Sequence, residues 1–119
     1  MDNCDFRFRR EEHLKGRKEI REVFGKGRAY NCRGAKLFIL KNDLPYNRIC
    51  FSLSRGFGNA VSRNRARRLG REAFRLIKNR LECGYDLILL VYPESELSLN
   101  LQDRCGQLES LFKKAGLLK

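Results

Sequence analysis

The sequence predicts a single α+β domain, a two-layer sandwich in which helices pack on a small mixed sheet. Three segments repeat apolar residues at three- and four-residue steps, as amphipathic helices do. Between them lie short segments with the two-residue alternation or the continuous apolar character of strands. Residues 1–119 are long enough for one hydrophobic core, and no repeat or linker divides them. The predicted order is helix, two or three strands, helix, strand, helix.

The beginning of the chain is predicted to pass from an irregular segment into a helix. Residues 1–13 are polar and charged. We interpret them as a flexible or extended arm, with a short edge strand or a frayed terminus as alternatives. Residues 14–26 are predicted as a short helix, because Ile20, Val23 and Phe24 form an apolar side and Gly27 follows the last turn.

The next segments are predicted as strands. Residues 28–32 are a candidate strand, and residues 35–41 form a clearer one. Residues 42–47 have the composition of a turn, which predicts a hairpin with residues 48–54 as the returning strand. Alternation along that strand predicts one covered apolar face, which carries Ile49, Phe51 and Leu53. The second face carries small polar groups beside Phe38 and Lys36, and it is a candidate surface for a ligand.

The second half of the chain is predicted as helix, strand and helix. A long helix begins after the cap residue Asn59 and continues to about Leu81, with Ala66, Leu69, Ala73, Phe74 and Ile77 on its apolar stripe. Residues 85–92 are almost continuously apolar, which is typical of a strand buried on both faces. Residues 100–115 are predicted as the last helix, with Ser98 as a possible cap. The predicted inward residues of this helix are Leu101, Cys105, Leu108, Leu111 and Phe112.

The long helix carries a concentration of arginine that indicates a polyanionic partner. Only Glu72 offsets its cations, which are Arg63, Arg65, Arg67, Arg68, Arg71 and Arg75. Like charges four residues apart weaken an isolated helix by about 0.2–0.5 kcal/mol per pair. An ordinary solvated face mixes charge signs, whereas this one favours arginine, which contacts phosphate through two parallel hydrogen bonds. Nucleic acid is the predicted partner.

Composition supports this prediction and argues against several other classes of protein. The net charge is +12, and twelve Lys and Arg side chains but only one acid, Asp43, lie between Glu22 and Glu72. No apolar run is long enough to span a membrane, and residues 1–5 lack the order of a signal peptide, so we expect a cytoplasmic protein. The scattered cysteines are predicted to be free thiols: Cys4, Cys32, Cys50, Cys83 and Cys105.

The chain offers no recognisable catalytic or metal-binding set. The single histidine, His13, lies in a polar stretch and is predicted to be solvated. No Cys/His spacing supports zinc, and acids are too sparse in the basic half for a two-metal nuclease site. Walker and dinucleotide-binding motifs are also missing. If the protein takes part in catalysis, we expect its partner to supply the chemistry.

Residues 58–68, Gly-Asn-Ala-Val-Ser-Arg-Asn-Arg-Ala-Arg-Arg, followed by Arg-Glu-Ala-Phe-Arg at 71–75, resemble the signature of the bacterial ribonuclease P protein family. Its hallmark is the Arg-Asn-Arg core, here at 63–65. The resemblance extends over almost the whole chain. Further matching segments are Arg17-Lys18-Glu19, Phe24, Gly27, Ser52-Leu53-Ser54, Gly84-Tyr85-Asp86-Leu87 and residues 111–117.

The resemblance implies a fold and a function. The element order would be α-β-β-β-α-β-α, with a left-handed β-α-β crossover through the arginine helix. The protein would be a subunit of ribonuclease P, an endoribonuclease that removes the 5′ leader of precursor tRNA. The catalytic RNA would carry the chemistry and bind most of the Mg²⁺, so no catalytic residue and no protein-built metal site is expected. Implied contacts to the catalytic RNA are Arg63, Asn64, Arg65, Arg67, Arg68 and Arg71. Implied residues of a cleft for the leader are Phe24, Lys36, Phe38, Ser52 and Ser54.

Three positions depart from the family pattern. Ile20 stands where a second cleft aromatic is common, which puts stacking there in doubt. Gly56 replaces a common basic residue and weakens one expected phosphate contact. Gly70 replaces an aliphatic residue inside the helix, at a cost of about 1 kcal/mol relative to Ala unless close packing requires it.

Two rival functions are considered beside this one. A ribosomal or RNA-chaperone protein without a catalytic partner would use the same basic helix. Magnesium-dependent trimming of precursor tRNA separates that class from ribonuclease P. A sequence-specific DNA regulator is disfavoured, because its recognition helix normally follows a partner helix after a short turn. Here a predicted hairpin and a Gly-Phe-Gly segment precede the basic helix.

Overall fold

The computed structural model describes residues 9–93 and 100–119, and it confirms the predicted α+β class. In this part of the chain three helices pack on a four-stranded sheet. Short 3₁₀ turns cover Arg10–Glu12 and Lys78–Arg80. The regular elements are α1 Arg17–Lys26, β1 Arg28–Cys32, β2 Ala35–Lys41, β3 Arg48–Leu53, α2 Ala60–Ile77, β4 Tyr85–Val91 and α3 Leu101–Lys114.

The sheet has the order β1-β2-β4-β3, so the predicted hairpin between β2 and β3 is wrong. Strand β2 pairs with β1 and β4 in antiparallel fashion, whereas β3 and β4 are parallel. Strand β4 takes the central position because it is apolar on both faces. The turn-like residues 42–47 instead cross the beginning of β4. The Asn42 side chain donates to Asp86 at 2.8 Å, and Asn47 accepts from the Tyr85 N–H at 2.9 Å.

Helices α2 and α3 cover one face of the sheet, which we call the inner face. The main core lies between these helices and the sheet, and it contains Leu37, Phe51, Leu89 and Phe112. Gly70 of α2 lies against the ring of Phe51, and a Cβ at this position would stand 2.6 Å from Phe51 Cδ1. Close packing therefore explains the glycine in the helix interior, although its neighbour is a side chain and not another backbone.

Helix α1 covers part of the opposite face, which we call the outer face. A small second core there consists of Leu14, Val23 and Ile88, all buried. The helix begins at Arg17, three residues later than predicted, because Leu14 belongs to this core and its N–H donates to the Ile49 carbonyl at 2.9 Å.

Residues 9–13, the described part of the predicted arm, lie against the rest of the domain. Glu12 is buried and forms an ion pair with Lys78 Nζ at 2.8 Å. His13 bridges to Ile49 beside β3 and is half-buried, so the expected solvated position is wrong. Burial lowers the pKa of His13, and the nearby charges of Lys15 and Arg71 lower it further. Residues 1–8 of the predicted arm lie outside the described part of the chain.

The last helix is capped by Asn100, which accepts from the Asp103 N–H at 2.8 Å. Ser98, the possible cap named above, lies outside the described residues. Leu108, Leu111 and Phe112 are buried as predicted. Leu101 and Cys105 are only partly buried, and the sequence did not predict the burial of Arg104.

Two further observations concern thiols and membranes. The four cysteines in the described ranges are free thiols, whereas Cys4 lies outside those ranges. Among the helices of residues 9–93 and 100–119, none combines the length and the apolar character that a membrane crossing requires.

Candidate nucleic-acid interface

Helix α2 separates an apolar stripe from a cationic surface. Asn59 caps its first turn by accepting from the Ser62 N–H at 2.9 Å. Its buried residues are Ala66, Gly70, Ala73, Phe74 and Ile77. Leu69 is only half-buried, and Gly70 replaces it at the centre of the stripe. Because the stripe faces the sheet, the arginines on the remaining circumference are directed toward solvent.

Five of the six residues implied for the catalytic RNA line one open groove of about 550 Å³ on α2. Arg65, Arg68 and Arg71 are exposed, and Arg67 is half-buried. No carboxylate of the described residues forms an ion pair with these four side chains. The groove residues are Asn64, Arg65, Arg67, Arg68 and Arg71, with Val61 beside them.

The two remaining arginines of α2 differ from this set. Arg63 is half-buried and does not line the groove. Arg75 donates to Glu72 at 3.1 Å, so its charge is largely compensated. Four arginines of α2 follow one another at four-residue steps, and their charges are not equally available. These residues are Arg63, Arg67, Arg71 and Arg75. The free charge of the helix is concentrated in its first three turns.

The aromatic residues of the predicted cleft lie in contact on the outer face. The rings of Phe24 and Phe38 meet edge to face, with centroids 4.8 Å apart and an interplanar angle of 69°. Lys36 Nζ lies 5.3 Å from the centroid of the Phe38 ring, which is a cation–π distance. Phe24 is 39% exposed. This group offers a ring surface and a positive charge side by side.

Ser52 and Ser54 lie two strands away from these rings. Ser52 is opposite Leu90 in β4, and Leu90 is opposite Lys36 in β2. Adjacent strands are about 4.8 Å apart, so the backbones that carry Ser52 and Lys36 are separated by about 10 Å. The Ser54 N–H donates to the Val91 carbonyl at 3.0 Å, and its hydroxyl oxygen is buried without a hydrogen-bond partner. The predicted cleft therefore has β4 as its floor.

Sequence reasoning missed the β4 residues of this floor. Alternation places Ile88, Leu90 and Tyr92 on the outer face. The Tyr92 N–H donates to the Gly34 carbonyl at 3.0 Å, which continues the strand pairing by one residue, and the side chain is 38% exposed. The same two-residue rule would have found Leu90 and Tyr92, had the pairing of β4 with β2 been known.

The outer face is covered at one end only. Ile20, Phe38, Leu40 and Cys50 pack around the small core beneath α1. Ile20 packs against this core. The position where a second cleft aromatic is common in the family therefore offers no ring for stacking in this protein. Lys36, Leu90 and Ser52 are half-buried and lie outside the small core. The uncovered end of the cleft is therefore the end at which β3 and β4 finish.

The groove on α2 and the cleft approach each other around the edge of β3. Cys50 lies on the outer face, where burial raises the pKa of its thiol. The positive charge of Arg67 partly offsets this rise. Gly70 of α2 packs on Phe51 of β3, so the edge strand β3 lies between this helix and the outer face. Gly56, with φ of 78°, occupies the tight turn that connects β3 to α2. A basic residue there would be strained, which gives the glycine a conformational reason.

The described residues contain no group of three or more His, Cys, Asp or Glu side chains placed to hold a metal ion. The groove and the cleft offer cationic and aromatic side chains. Guanidinium groups contact phosphate oxygens, and exposed rings stack on bases.

Comparison with known proteins identifies relatives along almost the whole chain. The Ribonuclease P family model matches residues 8–116. The ribonuclease P protein component of Natranaerobius thermophilus is 40% identical over 107 residues, which cover 89% of this chain and 91% of that protein. The RNase P protein structure from Thermotoga maritima has 26% identity and a TM-score of 0.76, covering 87% of this chain and 96% of that one. The Staphylococcus aureus RNase P protein has 23% identity and a TM-score of 0.79, covering 91% and 98%, a likeness that concerns the fold alone.

Proposed function

The chain belongs to the ribonuclease P protein family, and from that premise we propose which surfaces of this protein bind which RNA. Members of the family are the protein subunit of ribonuclease P, which acts in tRNA 5′ processing. The chain is thus a component of an endoribonuclease complex with an RNA partner.

Helix α2 binds the catalytic RNA. The single observation that carries this assignment is the groove lined by four arginines, whose charges meet no carboxylate of the described residues. Grouping these charges on one helix weakens the helix itself. Phosphate groups would relieve the repulsion and would occupy the groove. Asn64 adds an exposed amide that can donate to a phosphate or a base edge.

The cleft on the outer face binds the 5′ leader of precursor tRNA. A single strand can expose its bases, and the Phe24–Phe38 pair offers a ring surface for one of them. Lys36 Nζ lies over the Phe38 ring, where it can meet the adjoining phosphate, and Ser52 supplies a hydroxyl group across the β4 floor. Ser54 follows at the same end of β3, and its buried hydroxyl group would have to turn outward to contact the strand. The width of two strand spacings suits one extended strand of RNA.

The catalytic RNA carries the cleavage chemistry and binds most of the Mg²⁺. This assignment is supported by the environment of α2, where the one acid, Glu72, is paired with Arg75. The described protein residues include no group of three or more His, Cys, Asp or Glu side chains placed to hold a metal ion, so a Mg²⁺ ion would take its ligands mainly from RNA phosphates and water. The protein's own contribution is to neutralise phosphate charge and to hold the leader. We place this activity in the cytoplasm, where tRNA precursors are expected.

Reconstitution tests the proposal. The purified protein is combined with a bacterial ribonuclease P RNA and precursor tRNA, and cleavage is followed as Mg²⁺ is lowered. The protein should sustain cleavage at Mg²⁺ concentrations where the RNA alone is inactive, because its arginines replace part of the metal that screens phosphates. The protein alone should not cleave. An unchanged magnesium requirement would contradict the proposed role, and cleavage by nuclease-free protein alone would contradict the assignment of the chemistry.

A further inference from the structure

A second basic groove lies away from α2 and away from the cleft. It has a volume of about 420 Å³ and is lined by residues from α1, β1, β2, β4 and the segment after α3. Arg28 lies opposite Ile39, whose side chain belongs to the main core on the inner face, so Arg28 is on the inner face as well. Lys41 is two residues after Ile39 and lies opposite Tyr85, which places this pair on the same face. The groove is at the end of the sheet where β4 begins, opposite the end at which α2 starts.

Three cations surround this groove, and none is compensated by a described acid. Lys26, Arg28 and Lys41 are exposed, and no carboxylate of residues 9–93 and 100–119 lies within ion-pair distance of them. Lys26 and Arg28 flank Gly27, and the close packing of Gly27 fixes the backbone positions of both residues. A Cβ at Gly27 would stand 2.4 Å from the Val23 carbonyl oxygen and 2.7 Å from that of Ile39. The end of α1 is therefore packed directly on β2.

The partial negative charge at the end of α3 is too small to compensate the three cations of the groove. Residues 115–117 line the groove, and a helix C-terminus carries about half a negative charge. Part of this charge is already satisfied, because the Gly116 N–H donates to the Lys113 carbonyl and the Leu117 N–H donates to the Phe112 carbonyl. About half a negative charge against three positive ones leaves the groove strongly positive.

Two tyrosines give the groove an aromatic wall. Tyr30 and Tyr85 are half-buried, and both pack against the main core on one side. Their remaining surface faces the groove between the cations. A positively charged groove with aromatic side chains is the arrangement by which proteins bind single-stranded nucleic acid. Its volume lies within the roughly 300–1,000 Å³ of small-molecule sites, large enough for one nucleotide.

We propose that this groove is a further RNA-binding site, which holds a single-stranded nucleotide with its base against Tyr30 or Tyr85 and its phosphates on Lys26, Arg28 and Lys41. A duplex fits less well, because its bases are stacked inside and only its phosphates would reach the groove. The class of ligand rests on the proposed function, whereas the position of the site rests on the groove itself. The groove differs from the cleft, because Arg28, Tyr30 and Lys41 belong to the inner face of the sheet whereas Phe38 belongs to the outer face.

The test uses the full chain and a single-stranded oligouridylate octamer that contains 4-thiouridine. After irradiation, mass spectrometry should find crosslinks on the peptides that carry Tyr30 and Tyr85. The variant Lys26→Ala/Arg28→Ala/Lys41→Ala should lose them, and Phe38→Ala should keep them. Control variant Lys15→Ala/Lys113→Ala/Lys119→Ala removes the same charge at exposed positions outside the groove. It should also keep the crosslinks.

Binding to the ribonuclease P RNA gives a second readout. Each single-strand phosphate contact contributes about 0.7 to the slope of log K against log salt, so the groove variant should lower the slope by about 2. A groove variant that matches the control in slope and crosslinks would overturn the proposal, as would equal competition by an RNA duplex. Failure of the proposed function is distinguishable. In that case the wild-type protein fails to support precursor cleavage, although the octamer still crosslinks in the groove.

Discussion

Removing one free guanidinium group from α2 should reduce the salt dependence of RNA binding by a predictable amount. Arg65 is exposed, lines the groove and meets no carboxylate of the described residues. Each neutralised phosphate contributes about 0.7 to 0.9 to the slope of log K against log salt. The variant Arg65→Ala should therefore lower the slope by somewhat less than 1. Adding Arg68→Ala should bring the total decrease to about 1.4–1.8.

Arg75 provides a matched control on the same helix. Its guanidinium is paired with Glu72 at 3.1 Å, so it has less charge to offer a phosphate. Arg75→Ala also removes one arginine from α2, but it should change the slope much less than Arg65→Ala. Fluorescence anisotropy with a ribonuclease P RNA, over about 50 to 200 mM salt, measures both variants. Equal slope changes for Arg65→Ala and Arg75→Ala would refute the argument that the free charge is concentrated in the groove.

Three further predictions concern the cleft, the packing of α2 and pH. Phe38→Ala should leave binding to the catalytic RNA intact but reduce the preference for leader-bearing substrate by about 1–3 kcal/mol; an unchanged preference in a folded variant would make Phe38 a packing residue only. Gly70→Ala should lower the free energy of unfolding by about 1 kcal/mol, because overpacking exceeds the gain in helix propensity. The control Gly106→Ala should raise the free energy of unfolding by about 0.5–1 kcal/mol, because no atom lies within 4 Å of a Cβ at this position. Urea titration measures both variants, and equal changes in the free energy of unfolding would refute the close packing at Gly70. The lowered pKa of His13 means that the unfolded chain binds its proton more tightly, so stability should fall as pH drops below about 6.5 and be unaffected above it. His13→Gln should reduce this loss in urea titrations at pH values on both sides of 6.5; an identical loss would assign it to other groups.

The sequence was sufficient where structure depends on neighbouring residues. The cap at Asn59 and the bounds of β1 and β2 follow from local spacing, and the structure confirms them. The stripe of α2 is confirmed except at its centre, where Gly70 and not Leu69 is buried. Strand pairing was not accessible in the same way. The turn composition of residues 42–47 predicted a hairpin turn, whereas these residues form a bent connection between two strands that are not neighbours. Composition alone does not specify which strand lies next to β2. That choice depends on the burial of β4 and on Asp86, which accepts from Asn42 and pairs with Arg48 at 2.6 Å.

The same limit applied to the cleft. Lys36, Phe38 and Ser52 could be assigned to one face by alternation alone, and the register agrees. The distances between these side chains could not be predicted, because β4 lies between β2 and β3 in the sheet although it follows both of them in the sequence. Leu90 and Tyr92 were missed for this reason. The second basic groove was also inaccessible, since Lys26, Arg28, Lys41 and Tyr85 meet only after β4 pairs with β2.

The position of β4 also explains how the two proposed RNA-binding surfaces can be adjacent in so small a domain. Because β3 and β4 are parallel, the chain must return along the sheet between them, and α2 makes this return over the inner face. The first turn of α2 therefore lies at the end of the sheet where β3 finishes, which is also the uncovered end of the cleft. The partial positive charge of the helix N-terminus adds to the arginines there. Gly70 of α2 packs on Phe51 of β3, and Ser52 of β3 belongs to the cleft, so the helix and the cleft are separated by one strand. In our proposal the catalytic RNA occupies this positive field. An RNA strand that leaves the cleft at this end would enter the same field, so substrate and catalyst would be held against the same edge of the protein.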